Sequence, residues 1–221
     1  MHITCARYFV SVAIMSAATA FAQAKPIASG DILTYNNMNA TQVGRQPITF
    51  VSEGQSTNSV TIDASGNRTY KNVRSKGNYT LDKLFTRIAS NGKGRPAEEV
   101  FQSLQKEQLE PGMNWKTTVK RPTGQCGYVT YDYDVSTAKG PDLIIQIDTK
   151  DTTIPTIQVE FKASPSGGVC GQWTQVKKML ISPELWEIVS EEFVSDQRGV
   201  LQEGYKFVIT SVKTLANQQA K

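Results

Sequence analysis

Hydrophobic and polar positions alternate most densely between Cys126 and Cys170. In YVTYDYDV, Val129, Tyr131, Tyr133 and Val135 share one face, and Thr130, Asp132 and Asp134 share the other. That period of two marks a half-buried strand. Residues 136–142 contain Gly140 and Pro141 in tandem and predict a turn. LIIQID, apolar on both faces, predicts a strand central in its sheet. A turn is expected over 151–155. TIQVEFK then sets Ile157, Val159 and Phe161 inward, with Gln158, Glu160 and Lys162 outward. A loop at 164–168 (SPSGG) and a strand in GQWTQVKKMLI complete the block.

The flanks add sheet and two helices. DILTY and PITFVSE predict strands, separated by a turn at Asn36, Asn37 and Asn39, with a polar loop at 55–58. SVTIDASGNRTYKNV predicts a hairpin turning at 64–67. Thr80 can cap a helix whose Leu81, Leu84, Phe85 and Ile88 form one apolar stripe, ending at Gly92. A second helix starts at Pro96, carries Glu98 and Glu99 in its first turn, buries Val100, Phe101 and Leu104, and stops at Pro111-Gly112. NWKTTVK, LWEIVSEEFV and YKFVITSVKTL are further strand runs, the last two separated by a polar turn at 196–199.

The first 24 residues predict a signal peptide: Arg7, an apolar run over 8–20, and Ala22-Gln23-Ala24 as a cleavage site. Residues 25–221 then form a single β-rich domain, exported to the periplasm, with no transmembrane segment after cleavage. Without Arg7 the 24 basic residues fall to 23 against 20 acidic, a net of +3. That balance is too mild for a dedicated nucleic-acid binder. The single histidine is His2, inside the leader. The mature chain therefore lacks the base of Ser-His-Asp and Cys-His enzymes and any histidine metal ligand. No phosphate-binding loop or dinucleotide fingerprint is present, so no cofactor is expected.

Cys126 and Cys170 are the two cysteines beyond the leader. Export predicts that they pair as a disulfide, worth about 4 kcal/mol in the chain-entropy model. A redox thiol is the alternative, although neither cysteine has CxxC spacing. A plain up-and-down meander opposes the pairing, since it would set the two at opposite ends of the sheet, while bonding needs Cα atoms within about 7 Å.

Asp132 and Asp134, with Asp142 and Asp148 nearby, could serve acid–base work or hold Ca²⁺; the alternative is the solvated face of a sheet. Ser136–Lys139 matches S-x-x-K, but sits in turn sequence without its companion motifs. Trp115, Trp173 and Trp186 each fall in a strand run, as core anchors or as stacking platforms for a glycan. Between Ser65 and Ala97 lie eight cations, Arg68, Lys71, Arg74, Lys76, Lys83, Arg87, Lys93 and Arg95, against Asp82. Lys83, Arg87, Lys93 and Arg95 can share one surface facing an anionic lipid, lipopolysaccharide or an envelope protein.

The run WTQVKKMLISPELWEIVSEEF, followed by YKFVITSVKTL, resembles exported proteobacterial β-rich proteins in which a strand ends in a Ser-Pro-Glu-Leu step and re-enters the sheet. Pro111-Gly112-Met113-Asn114-Trp115 is similar to the Pro-Gly-x-x-Trp start of one of their strands. The resemblance implies a curved, half-barrel-like antiparallel sheet and no particular chemistry. The expected fold is thus α+β and β-rich: a curved antiparallel sheet or partial barrel with two short helices. The expected function is non-enzymatic binding or scaffolding in the cell envelope, with an amphiphilic or anionic ligand. The alternatives are a protein–protein partner in an envelope assembly and a carboxylate-dependent hydrolase.

Overall fold

The structure, a computed structural model, describes residues 25–64, 68–74, 110–122, 127–168 and 173–216. These residues hold eleven strands: β1 (Ile32–Thr41), β2 (Thr49–Ile62), β3 (Arg68–Arg74), β4 (Asn114–Pro122), β5 (Tyr128–Lys139), β6 (Leu143–Ile147), β7 (Lys150–Ile154), β8 (Ile157–Gly168), β9 (Thr174–Ser182), β10 (Glu187–Gln197) and β11 (Val200–Lys213). They form one open sheet in the order β3-β2-β1-β11-β10-β9-β8-β5-β4, and the β6–β7 hairpin attaches to β11. All these pairings are antiparallel except the two-residue contact of β6 on β11. The expected β-rich antiparallel sheet is present. The signal peptide, both expected helices, Cys126, Cys170, Lys83, Arg87, Lys93 and Arg95 lie outside the described residues.

Several local expectations are corrected. Asn36, Asn37 and Asn39 form no turn, and 55–58 form no loop; all are paired within β1 and β2. Asparagine favours turns because its side chain competes for local backbone groups. Here those side chains are engaged across the ladder instead. Asn37 Nδ2 donates to Ser56 Oγ at 2.9 Å, Gln55 Nε2 donates to Asn36 Oδ1 at 3.0 Å, and Asn39 donates to Glu53.

Ser136–Lys139 belong to β5, opposite Glu160–Ile157. SPSGG likewise continues β8, where Pro165 faces Tyr131 beside a register shift, a place in a sheet that tolerates proline. The turn expected at 151–155 lies earlier, at Asp148–Thr149, and β7 follows it.

The run LIIQID is not central. It forms β6, whose partners are β7 and two residues of β11. Ile145 is buried, while Ile144 is 74% exposed. The hairpin presents one face to the core and the other to solvent, so a run apolar at nearly every position does not need two buried faces. Trp186 falls in the turn before β10, with φ at 53°, and Trp173 precedes β9; only Trp115 is inside a strand.

Register shifts interrupt several ladders, among them one between Ile188 and Ser190 of β10 and one between Thr34 and Tyr35 of β1. Such bulges bend and twist a strand. Pairing of β10 with β11 stops at Ser190–Val208, and further along β11 the strand β6 takes that edge at Ser211 and Val212. Released from β11, the β9–β10 tip folds over. Ile27 N donates to the carbonyl of Leu185 at 2.8 Å, and the Tyr70 hydroxyl donates to the Glu187 carboxylate at 2.8 and 3.0 Å. Tyr70 sits on β3, four places from β10 in the sheet order. A flat sheet would hold those strands about 19 Å apart. The sheet therefore curls onto itself, and the core lies inside the curl: Leu33, Tyr35, Ile145, Ile154, Met179, Ile181, Leu185 and Ile209.

Candidate functional site

Strand parity divides the sheet into two chemically distinct faces. On the outer face, charges alternate in sign across strands. Glu160 stands opposite Lys178, Lys178 opposite Glu192, and Glu192 opposite Lys206. Lys206 pairs with Glu192 at 3.1 Å and Lys162 with Glu160 at 2.6 Å. The hydrogen bond and charge of Glu160 raise the pKa of the exposed Lys162 amine. Opposite charges facing across a ladder favour this register, at a few tenths of a kcal/mol each.

Asp132 and Asp134 belong to this outer face. Thr118 Oγ1 donates to Asp132 at 2.8 Å, and Lys116 pairs with Asp134 at 3.2 Å. Asp142 is exposed before β6. Asp148 ties the hairpin turn to the end of β11, accepting from Thr214 N at 2.8 Å. Asp132, Asp134 and Asp148 are therefore engaged with separate partners, on the outer face and at the hairpin turn. Among the described residues no group of three metal-ligating side chains occurs, and no helix is long and apolar enough to cross a membrane.

The inner face carries the unusual chemistry. Phe161, Lys177, Phe193, Tyr205 and Asn39 stand opposite one another across β8, β9, β10, β11 and β1. One row along, the same strands place Val159, Met179, Glu191, Phe207 and Asn37. Lys177 and Glu191 are thus diagonal neighbours, and their side chains are 6% and 1% exposed. Lys177 Nζ donates to Glu191 Oε1 at 2.5 Å, and the Tyr205 hydroxyl donates to the same oxygen at 2.7 Å. Among the described residues the other carboxylate oxygen, Oε2, is buried without a hydrogen-bond partner.

The ammonium also lies 5.7 Å from the ring centre of Phe193 and 5.9 Å from that of Tyr205. Those rings are themselves 5.3 Å apart and tilted by 30°. Burial lowers the pKa of Lys177 from 10.5, opposed by the charge and hydrogen bond of Glu191. Exposure grows along the row: Phe161 and Lys177 are buried, while Phe193, Tyr205 and Asn39 are half-buried.

Nothing in the amino-acid pattern marks these residues as a motif. The available signal is parity. Lys177-Lys178, Glu191-Glu192 and Tyr205-Lys206 are adjacent pairs, and each pair splits between the two faces. Lys177 is in phase with buried Met179 and Ile181, and Glu191 is in phase with Phe193. Of the sequence-predicted site residues, Arg68, Lys71 and Arg74 fall on the edge strand β3. Compared with known protein families, characterised proteins and solved structures, the chain matches none.

Proposed function

We propose that this chain is a non-enzymatic binding protein of the cell envelope, exported to the periplasm, which holds an amphiphilic molecule against the inner face of its sheet. One observation carries the reading. The inner face is aliphatic where the β6–β7 hairpin packs on it, then changes to aromatic side chains around a buried ion pair, and exposure rises toward β10, β11 and β1. An apolar surface with a few placed polar groups is the usual composition of a small-molecule site. Of the candidate carboxylates for a hydrolase, Asp132 and Asp134 are engaged in outer-face pairing and Asp148 in the hairpin turn, which favours binding over catalysis. Mass spectrometry of small molecules retained by native protein purified from periplasm tests the proposal. A recurrent amphiphile released on denaturation is the expected result. Protein that retains nothing and binds no added amphiphile would sink it.

A further inference from the structure

Exposed apolar side chains gather at one end of the sheet. Among the described residues six large hydrophobics are exposed: Val43, Val51, Ile144, Trp173, Val200 and Leu215. The ladders set four of them where β1 and β10 finish and β2, β9 and β11 begin. Val43 is in the β1–β2 turn, Val51 is the third residue of β2, Val200 is the first of β11, and Trp173 immediately precedes β9. We infer that this end of the sheet docks on an anionic phospholipid bilayer, with Val43, Val200 and Trp173 entering the lipid interface and Arg45 and Arg198 meeting the phosphates. The inference concerns the end of the sheet rather than its inner face, and it stands apart from the ligand reading above.

The two hairpin tips are fastened to each other. Gln42 Nε2 donates to the Gln46 carbonyl at 3.0 Å and to the Gly199 carbonyl at 3.1 Å, while Leu201 N donates to Gln42 Oε1 at 2.7 Å. One amide thus closes the β1–β2 turn and ties it to the β10–β11 turn. Val43 follows Gln42, and Val200 lies between Gly199 and Leu201, so both valines flank the bridge and stay exposed, at 76% and 42%. Side chains carried on a backbone already held in place lose less freedom on binding. Trp173 adjoins Thr174, the ladder partner of Asp196. From β9 to the β1–β2 turn is three to four strand spacings, about 14–19 Å along the rim. A protein partner would need separate pockets along that line. A bilayer interface takes protruding apolar side chains wherever they fall, and tryptophan is enriched there.

Charge selects the kind of bilayer. Arg45 and Arg198 sit in the two turns, and both are exposed. Arg198 and Gly199 both have positive φ, at 55° and 78°. Such a two-residue turn favours asparagine, aspartate or glycine at its first position. An arginine there carries a conformational cost, and strain of this kind points to a use for the side chain. β4 brings Lys120 and Arg121 to the same end of the sheet, since Arg121 is opposite Val129 and Val129 is opposite Gly168. Asp196 and Glu203 lie further back in their strands: Asp196 accepts from Gly199 N at 2.9 Å, and Glu203 faces Ser195. The cations are therefore outermost, within a Debye length of about 8 Å from a docked surface.

Co-sedimentation of the full exported chain with vesicles tests the inference. It should bind vesicles of phosphatidylglycerol and phosphatidylcholine in equal parts, and bind phosphatidylcholine alone about tenfold or more weakly. Val43→Ser with Val200→Ser removes the apolar tips. Arg45→Gln with Arg198→Asn removes the cations and suits the turn. Both pairs change exposed positions, so folding should be undisturbed. Each pair should weaken binding to the mixed vesicles about tenfold or more. Brominated lipid should quench the fluorescence of wild type more than that of Trp173→Phe. Equal quenching, or binding that either pair leaves at the wild-type level, overturns the inference and moves the contact to another surface, such as the basic stretch with Lys83 and Arg87. Absence of vesicle binding also overturns it and leaves the exposed end to a protein partner. Neither result bears on amphiphile retention, since Phe161, Lys177, Phe193 and Tyr205 are unchanged.

Discussion

Lys177 is a charge held where water does not reach, and its energetics follow from that placement. Desolvating an ammonium costs several kcal/mol, which a close carboxylate offsets only in part. Removing one partner should therefore hurt more than removing both. Lys177→Met leaves the Glu191 carboxylate buried and should destabilise the fold by about 3–5 kcal/mol, whereas Lys177→Met with Glu191→Leu should recover most of that loss. Urea denaturation of the single and double variants measures the difference. The pH dependence has a definite sign. The folded-state pKa of Lys177 lies below 10.5, lowered by burial against the opposing pull of Glu191. Between that depressed value and 10.5 the unfolded chain binds the proton more readily than the folded chain does. The penalty is fully present below the depressed value and is relieved as pH rises toward 10.5. The stability of wild type relative to Lys177→Met should therefore increase with pH across that window; a flat difference would mean that the amine titrates as it does in water. Parity sets Lys177 in phase with Met179 and Glu191 with Phe193, but the sequence predicts these runs only as strands and assigns no face to either residue. The alliance between them was not legible, because it depends on β9 and β10 being neighbours at one register.

At the scale of elements, local alternation was readable and strand order was not. Ile157, Val159 and Phe161 alternate in sequence and bury alternately in β8. The polar stretches of β1 and β2 defeated the same reasoning, because asparagine and serine make strands when their side chains bond across the ladder. The order of strands matters most for the cysteines. A simple meander would separate Cys126 from Cys170. Instead β6 and β7 leave the sheet as an inserted hairpin, and β5 pairs directly with β8. Val129 is the ladder partner of Gly168. Val129 follows Cys126 by three residues, and Gly168 precedes Cys170 by two. The topological objection to a disulfide therefore disappears. Exported material should carry a Cys126–Cys170 bond, seen as an intact mass about two units below that of the reduced chain. Alkylation of both thiols in unreduced periplasmic protein would refute it.

The molecule as a whole is organised by the curl of one sheet, and the fastening that joins its first strands to β10 can be tested. Tyr70 and Glu187 are 117 residues apart in the chain, yet the phenol donates to both carboxylate oxygens. Both residues are buried, at 4% and 3% exposure. Glu187 Oε1 also accepts from Ile188 N at 3.0 Å, so the carboxylate braces the start of β10 while it holds β3. The neighbouring contact, Ile27 N to the Leu185 carbonyl, fastens the same tip through backbone alone. Tyr70→Phe removes the phenol donor and keeps the ring, so packing is preserved and the buried carboxylate loses a hydrogen bond. The expected cost is about 1.5–3 kcal/mol, the range for a hydrogen bond to a charged group. Its location matters more than its size. Hydrogen exchange should rise at β3 and at Ile188 and Val189, and stay unchanged at Val135 and Val159, where β5 and β8 pair away from the fastening. Faster exchange over the whole sheet would mean that the fastened end and the β5–β8 end unfold as one unit. No change in either stability or exchange would mean that the apolar core holds the curl closed without Tyr70.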